Sequence, residues 1–277
     1  MDKRLPSTRS KMGWFLASLA CLCLAVAAQT HAAVALSNAE AMRIGKKVWQ
    51  NECNGSVAGL TSWNAGENFA SLGIGHFIWY PKGVRGPFDE SFPKYIAFAL
   101  SAGVKLLPTI VTSNLEKGCP WQTREEFLAA ESSTDMKGLR EFLANTVVLQ
   151  TQFLIARLEN SLPKMLDEAA PAERKNVGEQ FARVASTPRG CYALVDYVNF
   201  KGEGTLHTER YHDQGWGLLQ VLENMHGQDN GRAALEEFSR SAANVLRRRV
   251  QNSPPERKEA RWLPGWLNRV NSYPANS

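Results

Sequence analysis

Gly55, Gly59, Gly66, Gly73 and Gly75 fall within residues 54–81, among Asn, Ser and aromatic side chains. A glycine inside a helix costs roughly 1 kcal/mol relative to alanine, so five in one stretch argue against a continuous helix. Short strands joined by turns fit the spacing instead. The rest of the chain carries helical signals. Ser37-Asn-Ala-Glu40 has the spacing of a capping box, and the helix it opens runs through Met42, Ile44, Val48 and Trp49 toward Glu52. Beyond Pro81, Pro87 and Pro93, helices are expected within 94–107, 124–130, 137–159, 189–200, 215–225, 231–250 and 256–270. Pro163 and Pro171 are expected to break the helical run, Pro171-Ala-Glu-Arg to open the next helix, and Pro254-Pro255 to part the last two. The Arg247-Arg-Arg249 triplet reads as a solvated helix terminus, with its cations on the negative end of the dipole. The fold class that follows is α+β, mainly helical with a small antiparallel β-hairpin sheet.

The N-terminus reads as a leader rather than as part of that fold. Lys3, Arg4, Arg9 and Lys11 precede an apolar run from Trp14 to Ala28, and Gln29-Thr-His-Ala-Ala33 supplies small residues for cleavage. The run is 15 residues long, short of the ~20 needed to span a bilayer. A signal peptide over 1–32 and a mature chain from Ala33 are therefore expected, with periplasmic or secreted localisation. The leader also carries most of the charge. The whole chain has 32 basic and 27 acidic residues, and removing 1–32 leaves 28 and 26. A near-neutral mature chain gives no support for a nucleic-acid partner. No second apolar run has the length of an integral membrane segment. Three cysteines remain, Cys53, Cys119 and Cys191, enough for one bridge and a spare thiol and without metal spacing.

Candidate chemistry gathers around the glycine-rich stretch. Glu52 leaves a helix just before it, and a half-buried carboxyl that holds its proton near neutral pH suits a general acid. Cleaving a glycosidic bond needs such an acid, usually with a second carboxylate to activate water or act as nucleophile, and Glu67 is the nearest candidate. Trp63, Trp79 and Tyr80 suit stacking on sugar rings, whose apolar faces pack on aromatics, and each can equally belong to the core; Asn64 is a further candidate for substrate contact. His76 can equally satisfy backbone groups in a hairpin turn. Further along, His207-Thr-Glu-Arg-Tyr-His-Asp-Gln-Gly-Trp216 sits between two helices, where Glu209, Tyr211 and Gln214 can line a cleft. The spacing of His207, His212 and Asp213 matches no metal site, and no cofactor is expected. Cys53 reads as a buried or bridged thiol rather than a nucleophile.

Glu52, followed 19 positions on by Ser71-Leu-Gly-Ile-Gly-His76, resembles the Glu and Thr/Ser-x-Gly-x-Gly-His signature of bacteriophage-type lysozymes, within the lysozyme superfamily. Ala193-Leu-Val-Asp-Tyr-Val-Asn-Phe-Lys-Gly-Glu-Gly204 looks like that family's central helix. Arg261-Trp-Leu-Pro-Gly-Trp-Leu-Asn-Arg269 is similar to its closing segment, and the three stretches occur in family order. The resemblance implies a lysozyme-like fold over 33–277 with a helical insertion around 88–190. It implies Glu52 as catalytic acid, Ser71 as positioner of the water, and His76 as support for the hairpin. One departure matters: the family has an aspartate where this chain has Ala65, eleven residues before His76. In a strand a two-residue shift keeps the same face, so Glu67 is the candidate replacement, or else a structural residue bonding loop amides. The implied activity is cleavage of β-1,4 bonds in peptidoglycan. Lytic transglycosylase and chitosanase-like chemistries are the near alternatives, as is a glycan-binding envelope protein without turnover.

Overall fold

The computed structural model describes residues 36–275; the expected leader lies outside the described residues. Helix α1 (Asn38–Cys53) begins on the capping box, with Ser37 Oγ accepting from the Glu40 amide and the Glu40 carboxylate accepting from the Ser37 amide at 2.9 Å. It ends at Asn54, whose left-handed backbone (φ 51°) turns the chain into the glycine-rich stretch. That stretch forms three short strands, β1 (Thr61–Ser62), β2 (Ala70–Leu72) and β3 (Phe77–Trp79), antiparallel in the order β1-β2-β3. Ser71 pairs with Ser62 on one side and with Ile78 on the other. The expected small antiparallel sheet in a mainly helical chain is what the structure contains.

Helices α2 (Phe92–Ser101), α3 (Thr109–Asn114), α4 (Arg124–Ala129), α5 (Thr134–Asn145), α6 (Val147–Glu168) and α7 (Arg174–Ala185) follow. Two of these differ from the periodic reading. The helix expected over 94–107 stops at Ser101, and the one expected over 137–159 is two helices parted at Thr146, whose hydroxyl bonds the Phe142 carbonyl at 2.8 Å and accepts from Tyr95 Oη at 2.7 Å. Pro163 does not break α6. It removes one rung of the hydrogen-bond ladder, but Leu158, Ser161, Leu162 and Met165 are buried on either side and packing holds the helix through to Glu168.

Helix α6 packs on α1, α2, α7 and α8 (Pro188–Lys201), so the stretch around 88–190 shares the core with the segments that flank it. Gln150 on α6 latches the sheet: its Oε1 accepts the Ile74 amide at 2.9 Å and its Nε2 donates to the Leu143 carbonyl at 2.6 Å. Beneath the sheet Phe77 stacks on Tyr95 at 5.0 Å and Trp79 packs on Phe92 at 4.9 Å. A second hairpin, β4 (Arg210–Tyr211) with β5 (Gln214–Gly215), turns at His212 and Asp213, both at positive φ. Helices α9 (Leu218–Glu223), α10 (Arg232–Asn252) and α11 (Leu263–Asn271) complete the chain. No helix among the described residues is long and apolar enough to cross a membrane.

Candidate functional site

Glu52 lies on the last turn of α1 with its side chain 16% exposed. Its Oε1 accepts from Arg269 on α11, and its Oε2 faces Nδ1 of His76 at 4.0 Å. His76 belongs to the β2–β3 turn and holds positive φ (47°). Cys53 touches the same turn, with Sγ 3.9 Å from the Gly73 carbonyl and 4.0 Å from His76 Nε2. One carboxylate therefore draws together the end of the first helix, the hairpin turn and the last helix.

Arg269 is shared with a second acid. Its Nε donates to Asp196 Oδ2 at 2.8 Å and its Nη2 to Asp196 Oδ1 at 2.9 Å. Asp196, fully buried on α8, also accepts from Tyr273 Oη at 2.7 Å and from Asn51 Nδ2 at 3.0 Å. Asn51 Nδ2 donates as well to Tyr192 Oη at 2.8 Å. Burial alone would pull Arg269 down, but the Asp196 and Glu52 carboxylates outweigh it and hold the guanidinium above its ordinary range. Burial, and then Asp196, push the Tyr192 and Tyr273 hydroxyls up, so both serve as neutral hydrogen-bonding groups. The lysines beside Glu52 in sequence point elsewhere. Lys46 and Lys47 line a groove of about 560 Å³ with Arg43 and Tyr192, and Lys47 Nζ rests 4.7 Å from the Tyr192 ring centroid.

The other residues singled out from sequence divide into several groups. Glu67 lies in the β1–β2 turn and closes it: its amide donates to the Asn64 carbonyl at 3.2 Å, its Oε2 accepts from Asn64 Nδ2 at 3.0 Å, and its carbonyl accepts from Trp63 Nε1 at 2.8 Å. Ser71 is buried in the middle strand. Among the described residues, no hydrogen bond or ion pair joins Glu67 or Ser71 to Glu52. Trp63 (5% exposed) packs on Phe127, and Tyr80 (4% exposed) packs on Phe69, so these rings fill the core rather than offer an open face to a sugar. The three cysteines are buried free thiols, not a bridge and a spare. Burial and the Glu52 charge push the Cys53 thiol up to about 12, which removes it as a nucleophile.

Glu209 and Tyr211 join a second cluster that sequence reading did not assemble. Tyr211 Oη donates to Glu259 Oε1 at 2.9 Å, and Arg249 grips the same carboxylate through two 2.8 Å bonds. Arg249 lies 3.9 Å from the Trp216 ring centroid, so the triplet expected to be solvated turns inward. Arg248 also reaches the Gly215 carbonyl at 3.4 Å, and only Arg247 is exposed. The helical rotation carries positions 248 and 249 toward β5 and Trp216, where burial of the arginine stems outweighs the draw of solvent. Glu209 packs against Gly202, and its carboxyl is raised by burial, which the Glu203 charge reinforces against Arg249. Gln214 is exposed and accepts from Asn252 Nδ2 at 3.2 Å. Glu259 carries no local motif. Asp196 and Lys201 lie in the Ala193–Gly204 stretch, Arg249 in the arginine triplet and Arg269 in the closing segment, but nothing in those stretches marked their partners. Among the described residues, no group of three or more His, Cys, Asp or Glu is placed to hold a metal ion. No protein-family model, curated protein or solved structure matches this chain.

Proposed function

We propose that the chain is an exported glycan-cleaving enzyme of lysozyme type, acting on β-1,4 bonds of peptidoglycan with Glu52 as general acid. The observation that carries this reading is the convergence on Glu52 of Arg269 and His76. They come from the two segments that, with Glu52 itself, bear most of the resemblance. Arg269 fixes one carboxyl oxygen and leaves the other turned toward the hairpin, which gives the carboxyl a set orientation. Asp196 holds Arg269 from behind and is itself sealed from solvent, which suits a supporting role rather than contact with the glycan.

The second carboxylate separates hydrolysis from its nearest alternative. Glu67 is tied into its own turn by Asn64, an observation that favours a single-acid lytic transglycosylase as the second reading. Digestion of purified cell wall followed by mass spectrometry tests both. Hydrolysis yields reducing muramic ends, and transglycosylation yields anhydro ends. Glu52→Gln is expected to lower turnover by about 10²–10⁴-fold. Full activity in that variant would overturn the role of Glu52, and unchanged turnover in Glu67→Gln would assign Glu67 to the scaffold.

A further inference from the structure

Lys201 is the last residue of α8, five positions beyond the helix residue that holds Arg269. Its Nζ lies 3.5 Å from the Trp266 ring centroid and 4.0 Å from that of Phe200. The Arg269 guanidinium lies 4.5 Å from the same Phe200 centroid. The Lys201 ammonium and the Arg269 guanidinium, which pairs with Glu52, therefore both border the Phe200 ring. Phe200 and Trp266 are both only partly buried, so the ring pair borders solvent.

The three cations here are not equally neutralised. Arg269 is held by Asp196 and Glu52, and Arg249 by Glu259. Among the described residues, Lys201 has no carboxylate within ion-pair distance. What steadies its charge is the π face of two rings, supplemented by the field of Glu259 at longer range. Burial, and then Arg249, pull the ammonium down to about 7, with Arg269 adding to the same effect. A cation held in partial burial without a counter-ion gains more from an arriving anion than a fully solvated one does.

We propose that Lys201, framed by Phe200 and Trp266 and sharing the Phe200 ring with Arg269, is a subsite that reads a carboxylate carried by the glycan or its peptide substituent. It is a specificity-determining residue for the reaction proposed above and rests on that reading for its substrate. A neutral polymer leaves the ammonium unpaired, and a polycationic one such as chitosan is repelled by it.

The test separates binding from turnover. Full-length mature protein carrying Glu52→Gln is titrated against purified peptidoglycan and against the same material with its free carboxylates amidated. Native polymer is expected to bind about tenfold more tightly than amidated polymer, the worth of one charged contact. Lys201→Met is expected to abolish that preference and Lys201→Arg to keep it. Equal binding of the two polymers by the Lys201 protein would overturn the subsite without need of a variant. So would a Lys201→Met protein, folded by circular dichroism, that still prefers native polymer. Cleavage by the wild-type chain is measured alongside. Preference without any cleavage leaves the subsite standing and removes Glu52 as the acid. Cleavage without preference does the reverse.

Discussion

Arg269 meets two carboxylates from two different helices, and the geometry gives it more to do than a lysine can. A guanidinium offers several donors in one plane, so it spans Asp196 with two bonds and still reaches Glu52. The energetic weight falls on Asp196, which is fully buried and accepts from Arg269, Tyr273 and Asn51. Removing one partner of such a pair leaves the other as an uncompensated charge. Asp196→Ala is accordingly expected to cost about 3–5 kcal/mol of folding stability, measured by urea unfolding at neutral pH. A loss under about 1 kcal/mol would show that water replaces the carboxylate without penalty. The stretches that hold Asp196 and Arg269 stood out in the sequence, but their pairing did not. An aspartate inside a helix and an arginine near a C-terminus are ordinary features until the fold places them 2.8 Å apart.

At the scale of elements, the turn between β2 and β3 positions the His76 side of the site. Gly73 opens it at φ 73°, and a Cβ there would lie 2.3 Å from Gln150 Oε1, the atom that accepts the Ile74 amide. Gly73→Ala thus combines backbone strain with displacement of the latch from α6. It is expected to destabilise the protein by about 1–3 kcal/mol, seen as a lowered thermal midpoint. A midpoint equal to the parent's would show that Gln150 gives way freely. The presence of this sheet was readable because several glycines in a short span have few other uses. Its pairing register was not readable, since strands of two and three residues carry too little alternation to define one. The same limit explains α5 and α6. Apolar periodicity runs through both, and the break at Thr146 depends on a hydroxyl contact with Tyr95 from a distant helix.

For the molecule as a whole, ionisable groups set the pH range of stability at both ends. Burial pushes the carboxyls of Glu237 and Glu259 up, but their hydrogen bonds prevail: Arg183 and two backbone amides at Glu237, Arg249 and Tyr211 at Glu259. Both are held below their ordinary value of 4.5. Carboxylates depressed in the fold contribute stability that is present above 4.5 and is lost as pH falls below it. Burial raises Tyr95, Tyr192, Tyr197 and Tyr273 above their ordinary value of 10.0. Groups raised in the fold contribute stability that is complete below 10.0 and declines as pH rises beyond it. Burial also raises the Cys53, Cys119 and Cys191 thiols from their ordinary 9.0 to about 12, so unfolding free energies from a urea series are expected to change chiefly by the gradual relief of Lys201 between 4.5 and 9.0, and to fall on either side. A flat alkaline limb would show that the four tyrosines are less enclosed than their burial indicates.

Sequence alone determined the helix-rich class, the capped start of α1, the hairpin region after Glu52, and the long α10. Each of these depends on residues within one or two turns of one another, where propensity and spacing act directly. The tertiary structure alone decided which charges meet. Glu52 and Arg269 are 217 positions apart, and no local pattern records that α11 returns to the end of α1. It also decided that Trp63 and Tyr80 fill the core, and that Lys201 shares the Phe200 ring with Arg269. Burial and partner choice arise from packing between elements, and packing is the part of the free energy that local sequence does not contain.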